Sequence, residues 1–240
     1  MKLCSKLLCA AEVVLVVGGT SLFAEEQSPK NIMNKALHYI GSMDKFAFDA
    51  VVVENETVGD GTMNKYRHDV AVKVDRPGKL RLDTKGYARD RSNTFNDGVF
   101  TMMDHGFGYY GQIKVSETID GALDDIFDAY GIRTPLAQLL YSDMHKRAKF
   151  KTSKNFGAMM VEGTECNYVA FSNDTRELHV WIATGDKPLV KTYSVIDRTG
   201  EGEMRMNTSL YWKRSSSVSD SDFIFTVPKG AIKIPVTTAH

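Results

Sequence analysis

Alternating side chains at residues 70–112 constrain the fold more than any other part of this sequence. Apolar Val70, Val72 and Val74 recur at every second position, and Leu80 and Leu82 continue the same period between charged neighbours. Successive side chains of a β-strand point to opposite faces of the sheet, so a period of two indicates one apolar and one polar face. The sequence therefore predicts a β-sheet whose apolar face is covered by another part of the chain.

Short turn-forming segments divide the chain into strands. Arg76-Pro77-Gly78-Lys79 and Asn96-Asp97-Gly98 are two of them, and the second predicts a hairpin between Arg89–Asn96 and Val99–Asp104. The other predicted strands are residues 46–54, 65–75, 157–161, 165–172, 178–183, 189–197, 204–212 and 222–227. Connections this short favour consecutive antiparallel pairing, in a sheet of about eleven strands.

Helical segments are predicted to cover the apolar face of this sheet. Ser28-Pro29 can open a first helix, whose apolar residues fall three and four positions apart up to Met43. Residues 118–131 show the same spacing, and Thr134-Pro135 can start a further helix in the same insertion. The expected fold class is α+β, mostly antiparallel β, with two consecutive helices interrupting the sheet.

The N-terminus has the pattern of an export signal. Lys2 and Lys6 precede an apolar run at residues 13–17, and small residues follow before Glu25. The apolar segment is shorter than the ~20 residues that span a bilayer, which favours a cleaved signal peptide of residues 1–24 over an uncleaved, membrane-associated N-terminus. The remaining residues 25–240, within a chain of 42% hydrophobic residues, are expected to form one domain.

Charge and thiol content exclude several classes of partner. The formal net charge of the chain is +0 and becomes about −1 without residues 1–24, so we expect no binding to nucleic acid or to anionic membrane surfaces. Cys166 is the one cysteine of residues 25–240, so an internal disulfide is impossible there. Its strand-like surroundings favour a buried, inert thiol over a reactive one.

No motif in the chain predicts catalysis, a cofactor or a metal. Residues 106–111 have the glycine spacing of a dinucleotide-binding loop, but strand patterns flank them on both sides, whereas that loop works between a strand and a helix. The six histidines are dispersed, and the fragment Asp104-His105 lacks a serine in a nucleophile context. Asp120, Asp124 and Asp125 lie opposite an apolar helical stripe, where a solvated face explains them better than a calcium or acid/base site.

Several segments, in their order along the chain, carry a resemblance to a known family. They include Arg76-Pro77-Gly78-Lys79-Leu80-Arg81, Asn96-Asp97-Gly98, Leu178-His179-Val180-Trp181-Ile182 and Phe223-Ile224-Phe225-Thr226-Val227-Pro228. This order resembles the periplasmic lipoprotein carriers of the LolA/LolB-like superfamily. With the insertion between residues 119 and 143, the chain is most similar to a family of predicted periplasmic proteins of unknown function within that fold.

The resemblance implies an unclosed half β-barrel of about eleven antiparallel strands, with helices covering its concave face over an apolar cavity. In the carriers, that cavity takes acyl chains, and an arginine on a sheet strand helps to hold the helical lid shut. Arg76 or Arg81 corresponds to it, and the sequence leaves the choice open. The resemblance implies no catalytic residues, cofactor or metal.

The leading hypothesis is a periplasmic binding protein, expected to be monomeric, that holds a lipid or lipoprotein acyl chain between the sheet and its helices. An envelope sensor acting through protein partners is the first alternative, and a hydrolase is the second.

Large aromatic residues serve either as core or as pocket lining. The candidate cavity-lining residues are Phe48, Val72, Leu80, Leu82, Met102, Tyr110, Phe171, Trp181 and Trp212. A slip of one residue in any strand would exchange its inner and outer side chains.

Overall fold

The protein is described by a computed structural model covering residues 28–57, 62–87, 89–200 and 202–239. The predicted signal peptide, residues 1–24, lies outside these ranges. Among the described residues, no helix has the length and apolar character needed to cross a membrane.

One twelve-stranded sheet dominates the structure. The strands are β1 Lys45–Thr57, β2 Met63–Asp75, β3 Lys79–Gly86, β4 Arg89–Asn96, β5 Val99–Asp104, β6 Tyr109–Lys114, β7 Thr152–Val161, β8 Thr164–Ser172, β9 Arg176–Ala183, β10 Val190–Asp197, β11 Met204–Trp212 and β12 Ile232–Lys233. Their order across the sheet is β12-β6-β5-β4-β3-β2-β1-β11-β10-β9-β8-β7. Neighbours pair antiparallel except for the short parallel contact between β12 and β6. Since β7 and β12 lie at opposite ends, the sheet is an unclosed half-barrel, which confirms the predicted fold class.

The alternating stretch forms strands β2 to β6, as its period predicted. In β2, buried and less buried positions alternate from His68 to Asp75. Asp97 and Gly98 both have positive φ, 49° and 69°, in the two-residue turn between β4 and β5. We call the face that carries the buried side chains of β2 and β3 the inner face, and the opposite one the outer face.

Helix α1, Pro29–Gly41, packs its apolar stripe against the inner face at β7 to β9. Ser28 caps it by accepting a hydrogen bond from the amide of Asn31, and proline occupies its first turn. At its C-terminal end the backbone approaches the insertion closely, because a Cβ added to Gly41 would lie 2.1 Å from the carbonyl oxygen of Ser142. Only glycine fits at this contact.

Helix α2, Ile119–Tyr130, buries Ile119, Ala122, Leu123 and Ile126 in the same cluster as the side chains of the inner face. It is capped by Thr118 and ends at Gly131 in the left-handed conformation. The continuous helix predicted from Thr134-Pro135 is wrong. Leu136 has a positive φ of 59°, and the segment consists of a 3₁₀ turn at Ala137–Leu139 and a one-turn helix α3 at Met144–Arg147.

The predicted strand at residues 222–227 is also wrong. Ser219 and Asp222 cap one another reciprocally and start a 3₁₀ turn at Asp220–Phe223. The chain then lies across the outer face, where Phe223 is buried against Ala47 and Val218. The apolar residues that alternate in residues 222–227 therefore pack onto the sheet, and the segment does not pair as one of its strands.

The core lies between the inner face and the helices. Phe48, Phe95, Phe100 and Phe171 are at most 2% exposed and pack with aliphatic residues of the sheet, α1 and α2 in one continuous cluster. Most of the space between the described parts of the sheet and the helices is therefore filled by side chains.

Candidate functional site

The inner face of β3 to β6 changes from apolar to polar over three successive rows of side chains. Each row crosses four strands in register, and rows two residues apart along a strand are separated by about 6.6 Å. The first row is Leu80, Phe95, Phe100 and Ile113, all buried. The second is Leu82, Asn93, Met102 and Gly111, and the third is Thr84, Arg91, Asp104 and Tyr109. This gradient leads towards the end of the sheet that carries the β3–β4 and β5–β6 turns, which we call the mouth.

A cavity of 780 Å³ lies over the second and third rows at the mouth. Tyr130, Ile132, Arg133 and Pro135, from the end of α2 and the segment after it, line the side opposite the sheet. The volume falls within the range of roughly 300–1,000 Å³ that small-molecule sites occupy. We call this space the mouth cavity.

The C-terminal segment forms a third wall of the mouth cavity. The amides of Ile232 and Ile234 donate hydrogen bonds of 2.9 Å to the carbonyl oxygens of Gly108 and Tyr110, which holds the segment along the edge of β6. Residues 234–237 then line the cavity, and the amide of Ala239 donates to the carbonyl oxygen of Ala129 in α2. The segment thus links the sheet edge to the helix across the cavity.

A second cavity, of 470 Å³, adjoins the first because Arg89 lines both. It contains His68, which is buried, and Glu54, whose carboxylate lies 4.0 Å from the Nε2 atom of His68 and 3.5 Å from Arg89. Burial lowers the pKa of His68, although Glu54 acts in the opposite direction. The imidazole therefore favours its neutral form.

The third row carries two charged side chains, Arg91 and Asp104, at the edge of the mouth cavity. Arg91 binds Asp104 at 2.9 Å across the β4–β5 pair. Partial burial acts to raise the pKa of Asp104, but hydrogen bonds from the amide of Phe107 and from Arg91 outweigh it and lower that pKa. Asp104 is therefore a carboxylate at neutral pH, and its charge offsets that of Arg91.

A cavity at the opposite end of the strands differs in its lining. It measures 550 Å³ and is bordered mainly by polar and charged residues of the β2–β3 and β4–β5 turns, together with Glu117. An apolar ligand gains little from such a lining. The mouth cavity is therefore the better candidate for a hydrophobic ligand.

Comparison with protein families decides the classification. The family described as a predicted periplasmic protein (DUF2092) matches residues 29–237. The chain belongs to this family. The resemblance seen in the sequence is thereby confirmed, and the protein is periplasmic.

Solved structures give more distant likenesses. An uncharacterised conserved protein from Thermus thermophilus has 7% identity and a TM-score of 0.47, covering 86% of this chain and 98% of that one. A LolA superfamily protein from Nitrosomonas europaea has 10% identity and a TM-score of 0.34, covering 82% and 98%. LprF from Mycobacterium bovis has 12% identity and a TM-score of 0.41, covering 85% and 97%. Comparison with curated protein sequences finds no match.

The structure separates the sequence-predicted cavity residues of the DUF2092 protein into three groups. Met102 lines the mouth cavity. Five lie in the closed core and are at most 2% exposed: Phe48, Val72, Leu80, Leu82 and Phe171. Trp212 also faces inward, where its ring lies 4.9 Å from that of Phe48 and its Nε1 donates to the carbonyl oxygen of Val190.

Tyr110 and Trp181 form the third group, because strand register places both on the outer face. Tyr110 is in register with Met103, next to the inward Met102, and its ring lies 5.4 Å from Phe225. Trp181 pairs with Tyr168 and stacks on it at 4.4 Å, while Val180 on the same strand points into the core. Neither side chain lines the mouth cavity.

The two candidate lid-closing arginines also lie on different faces. Arg76 is nine-tenths buried, donates to the carbonyl oxygen of Met43 and lies 3.7 Å from Asp120 of α2. Arg81 instead binds Asp83 and the carbonyl oxygen of Asp222 on the outer face. Only Arg76 joins the sheet to the helical insertion, at the end opposite the mouth.

The aspartates of α2 bind other protein groups rather than forming a solvated face. Asp120 accepts hydrogen bonds from the amide and hydroxyl of Ser142, and Asp124 accepts from Tyr141 and binds Arg147. Asp125 accepts from Ser116. The contacts of Asp120 and Asp124 hold residues 141–147 against α2, so the expectation of a solvated helix face is wrong for these two aspartates.

The catalytic alternatives receive no support from the geometry. Residues 106–111 contain the β5–β6 turn and the start of β6, without a following helix. His105 lies 2.7 Å from the hydroxyl of Ser92, which donates to the carboxylate of Asp83. In a catalytic triad, the carboxylate instead binds the histidine and orients it. Within the described ranges, no three His, Cys, Asp or Glu side chains are placed to hold a metal.

Sequence reasoning missed most of the residues that line the mouth cavity. Ile132, Arg133 and residues 234–237 lie in segments without regular structure, where no periodicity indicates which side faces the sheet. Thr84 and Arg91 do follow the inward period of β3 and β4, and that period could have found them.

Proposed function

We propose that this protein binds a hydrophobic ligand, a lipid or lipoprotein acyl chain, in the mouth cavity. The observation that supports this best is a space of 780 Å³, apolar on its inner side and polar at its edge, between a periplasmic half-barrel and its helical insertion. Met102, Ile132, Pro135 and Val236 are its apolar walls. A hydrocarbon tail entering there would remove apolar surface from water on both sides.

The expected affinity follows from the area buried. Each buried methylene contributes about 0.8 kcal/mol, so burial of about ten methylenes contributes on the order of 8 kcal/mol before ordering costs. The filled core behind the second row limits how deep the tail can reach. We therefore expect a single chain of moderate length to fit better than a two-chain lipid.

Uptake of a fluorescent fatty acid by the purified protein tests the proposal. The Met102→Lys substitution should abolish uptake, since it places an ammonium group in the apolar part of the cavity. Met159→Lys is the matched control, because Met159 lies on β7, away from the cavity, and is already 45% exposed. Both variants should retain the wild-type circular dichroism spectrum. Equal uptake by all three proteins would contradict the proposal.

An envelope sensor acting through protein partners remains the second candidate. The observation that favours it is β7, an end strand of the sheet on which Phe156, Met159 and Met160 are exposed. Exposed strand edges are common sites of partner binding. Native mass spectrometry of the purified protein separates the two candidates, since the binding protein should carry co-purifying lipid and the sensor should not.

A further inference from the structure

The lining of the mouth carries more positive than negative charge, although the chain as a whole has a formal net charge of +0. The basic residues that line the two adjoining cavities are Lys65, Arg67, Arg89, Arg91 and Arg133. The acidic residues that line them are Glu54 and Asp104. Glu54 pairs with Arg89, Asp104 with Arg91, and Arg67 with Asp69 outside the lining, so among the described residues the excess lies on Lys65 and Arg133.

Arg133 is the cation best placed to meet a ligand in the mouth cavity. Its guanidinium lies 5.5 Å from the centre of the Phe127 ring, so it stands where the mouth cavity meets a neighbouring cavity that both residues line. Across the described residues, no carboxylate forms an ion pair with it. Its N–H groups, which project from the edge of the plane, can therefore bind a ligand oxygen.

Thr84 supplies a second, independent observation. It lines the same cavity, is 5% exposed, and its Oγ1 atom is buried without a hydrogen-bond partner among the described residues. A buried hydroxyl without a partner is costly, and such a group often marks a place where a ligand completes the bonding. Thr84 pairs in register with Arg91 and so belongs to the same third row as Arg91 and Asp104.

The order of the rows fixes the orientation of the ligand. The apolar side chains of the second row lie deeper, and Thr84, Arg91 and Asp104 lie at the edge of the mouth. A molecule with one apolar and one charged end matches this gradient in one direction only. Its tail would point towards Met102 and its charged end towards Arg133.

We infer that the ligand is an amphiphile with an anionic head group, whose oxygens accept hydrogen bonds from Arg133 and Thr84 while its tail lies over Met102. This inference rests on the proposed function. A carboxylate and a phosphate monoester share the chemistry that these donors recognise. The class of ligand is therefore a single-chain lipid acid, rather than a neutral or cationic lipid.

Three probes with the same tail test the inference: dodecanoate, dodecyl phosphate and methyl dodecanoate. Each displaces a bound fluorescent fatty acid from the full protein, which gives its dissociation constant. The two anions should bind at least about tenfold more tightly than the neutral ester, as expected for hydrogen bonds to charged groups. The ratio between the two anions shows which head group the site prefers.

Variants of Arg133 and Thr84 test whether these two residues cause the difference in affinity between the anions and the ester. Arg133→Gln and Thr84→Val should each weaken the binding of the two anions by a larger factor than the binding of methyl dodecanoate, whose ester group carries no charge. Lys154→Gln is the matched control, because Lys154 lies 4.9 Å from the Phe156 ring, far from the cavity, and its removal should change none of the three constants. A thermal melt of each variant confirms that it folds.

The outcomes separate the two proposals. Equal affinity for the anions and the ester would overturn the anionic head group and leave the hydrophobic cavity standing. A preference for anions that survives Arg133→Gln and Thr84→Val would overturn the assignment to these residues. No binding of any of the three probes would overturn the proposed function and this inference with it.

Discussion

Val236 fills the space that a side chain at Gly111 would occupy. A Cβ added to Gly111 would lie 2.5 Å from the Cγ2 atom of Val236 and 4.0 Å from the end of Met102. Gly111 is the one position of the second row that has no side chain of its own, and the C-terminal segment packs into that gap. The floor of the mouth cavity is therefore built from two parts of the chain that lie far apart in sequence.

This contact predicts how the C-terminal segment responds to a larger residue. Gly111→Val should push Val236 away and weaken the hydrogen bond from Ile234 to Tyr110, so the amide of Ile234 should exchange with deuterium faster than in the wild type. Gly106→Ala is the control, since an added Cβ there meets its nearest neighbour at 3.4 Å. An unchanged exchange rate in Gly111→Val would show that the segment is not held by this contact.

Core and cavity residues of the inner face should differ in their effect on stability. Leu82 is fully buried, so Leu82→Ala should lower the free energy of unfolding by about 2–5 kcal/mol. Met102 is partly exposed beside the cavity, and Met102→Ala should cost clearly less. Urea unfolding of both variants gives the comparison. Equal losses would indicate that the space over Met102 is closed in solution.

The two tryptophans should separate ligand binding from packing. Trp181 lies on the outer face, so Trp181→Ala should leave fatty-acid affinity within error of the wild type. Trp212→Phe removes the hydrogen bond to Val190 and changes the packing on Phe46 and Phe48, so it should lower the melting temperature. Loss of fatty-acid binding on substitution of Trp181 would place the ligand on the outer face.

His68 should make the stability of the protein depend on pH. Burial lowers the pKa of His68 from its ordinary value of 6.5, with Glu54 opposing and Arg89 adding to the effect. The unfolded state therefore binds the proton more readily than the folded state. The contribution of neutral His68 to the free energy of unfolding is complete above pH 6.5, and it is lost as the pH falls through the lowered pKa of the folded state.

Melting temperatures measured in steps from about pH 7.5 to about pH 5 test this dependence. His68→Gln should reduce the decline over that interval, because glutamine does not titrate. His38→Gln serves as the control, as His38 is an exposed histidine of α1. Parallel curves for wild type and His68→Gln would rule out a contribution from His68.

The sequence predicted the sheet better than it predicted the site, and the reason is physical. In β2 and β3, valine and leucine alternate with charged residues, so the inner face is evident from the period alone. In β9, His179 and Trp181 alternate with Leu178, Val180 and Ile182, so both faces carry large side chains and the period does not show which is buried. Strand register with β8 decides it, and register depends on contacts distant in sequence.

Local sequence patterns do not predict the mouth cavity, for a related reason. Its walls come from β3 to β6, from the turn after α2 and from residues 234–237, and no periodicity relates these segments. The two candidate lid-closing arginines show the intermediate case. The resemblance limited the choice to Arg76 or Arg81, and the structure shows that Arg76 contacts α2 while Arg81 contacts the 3₁₀ turn on the outer face.

The sheet begins at β12 and finishes at β7 without joining into a ring. In a closed barrel, strand number and stagger fix the diameter, and widening it would break backbone pairing. This protein is under no such restriction, because its two edges can move apart while every ladder between neighbouring strands stays intact. The curvature of this sheet is set instead by side-chain packing on the helices and by the backbone hydrogen bonds that join α2 to the β2–β3 turn and to the C-terminal segment.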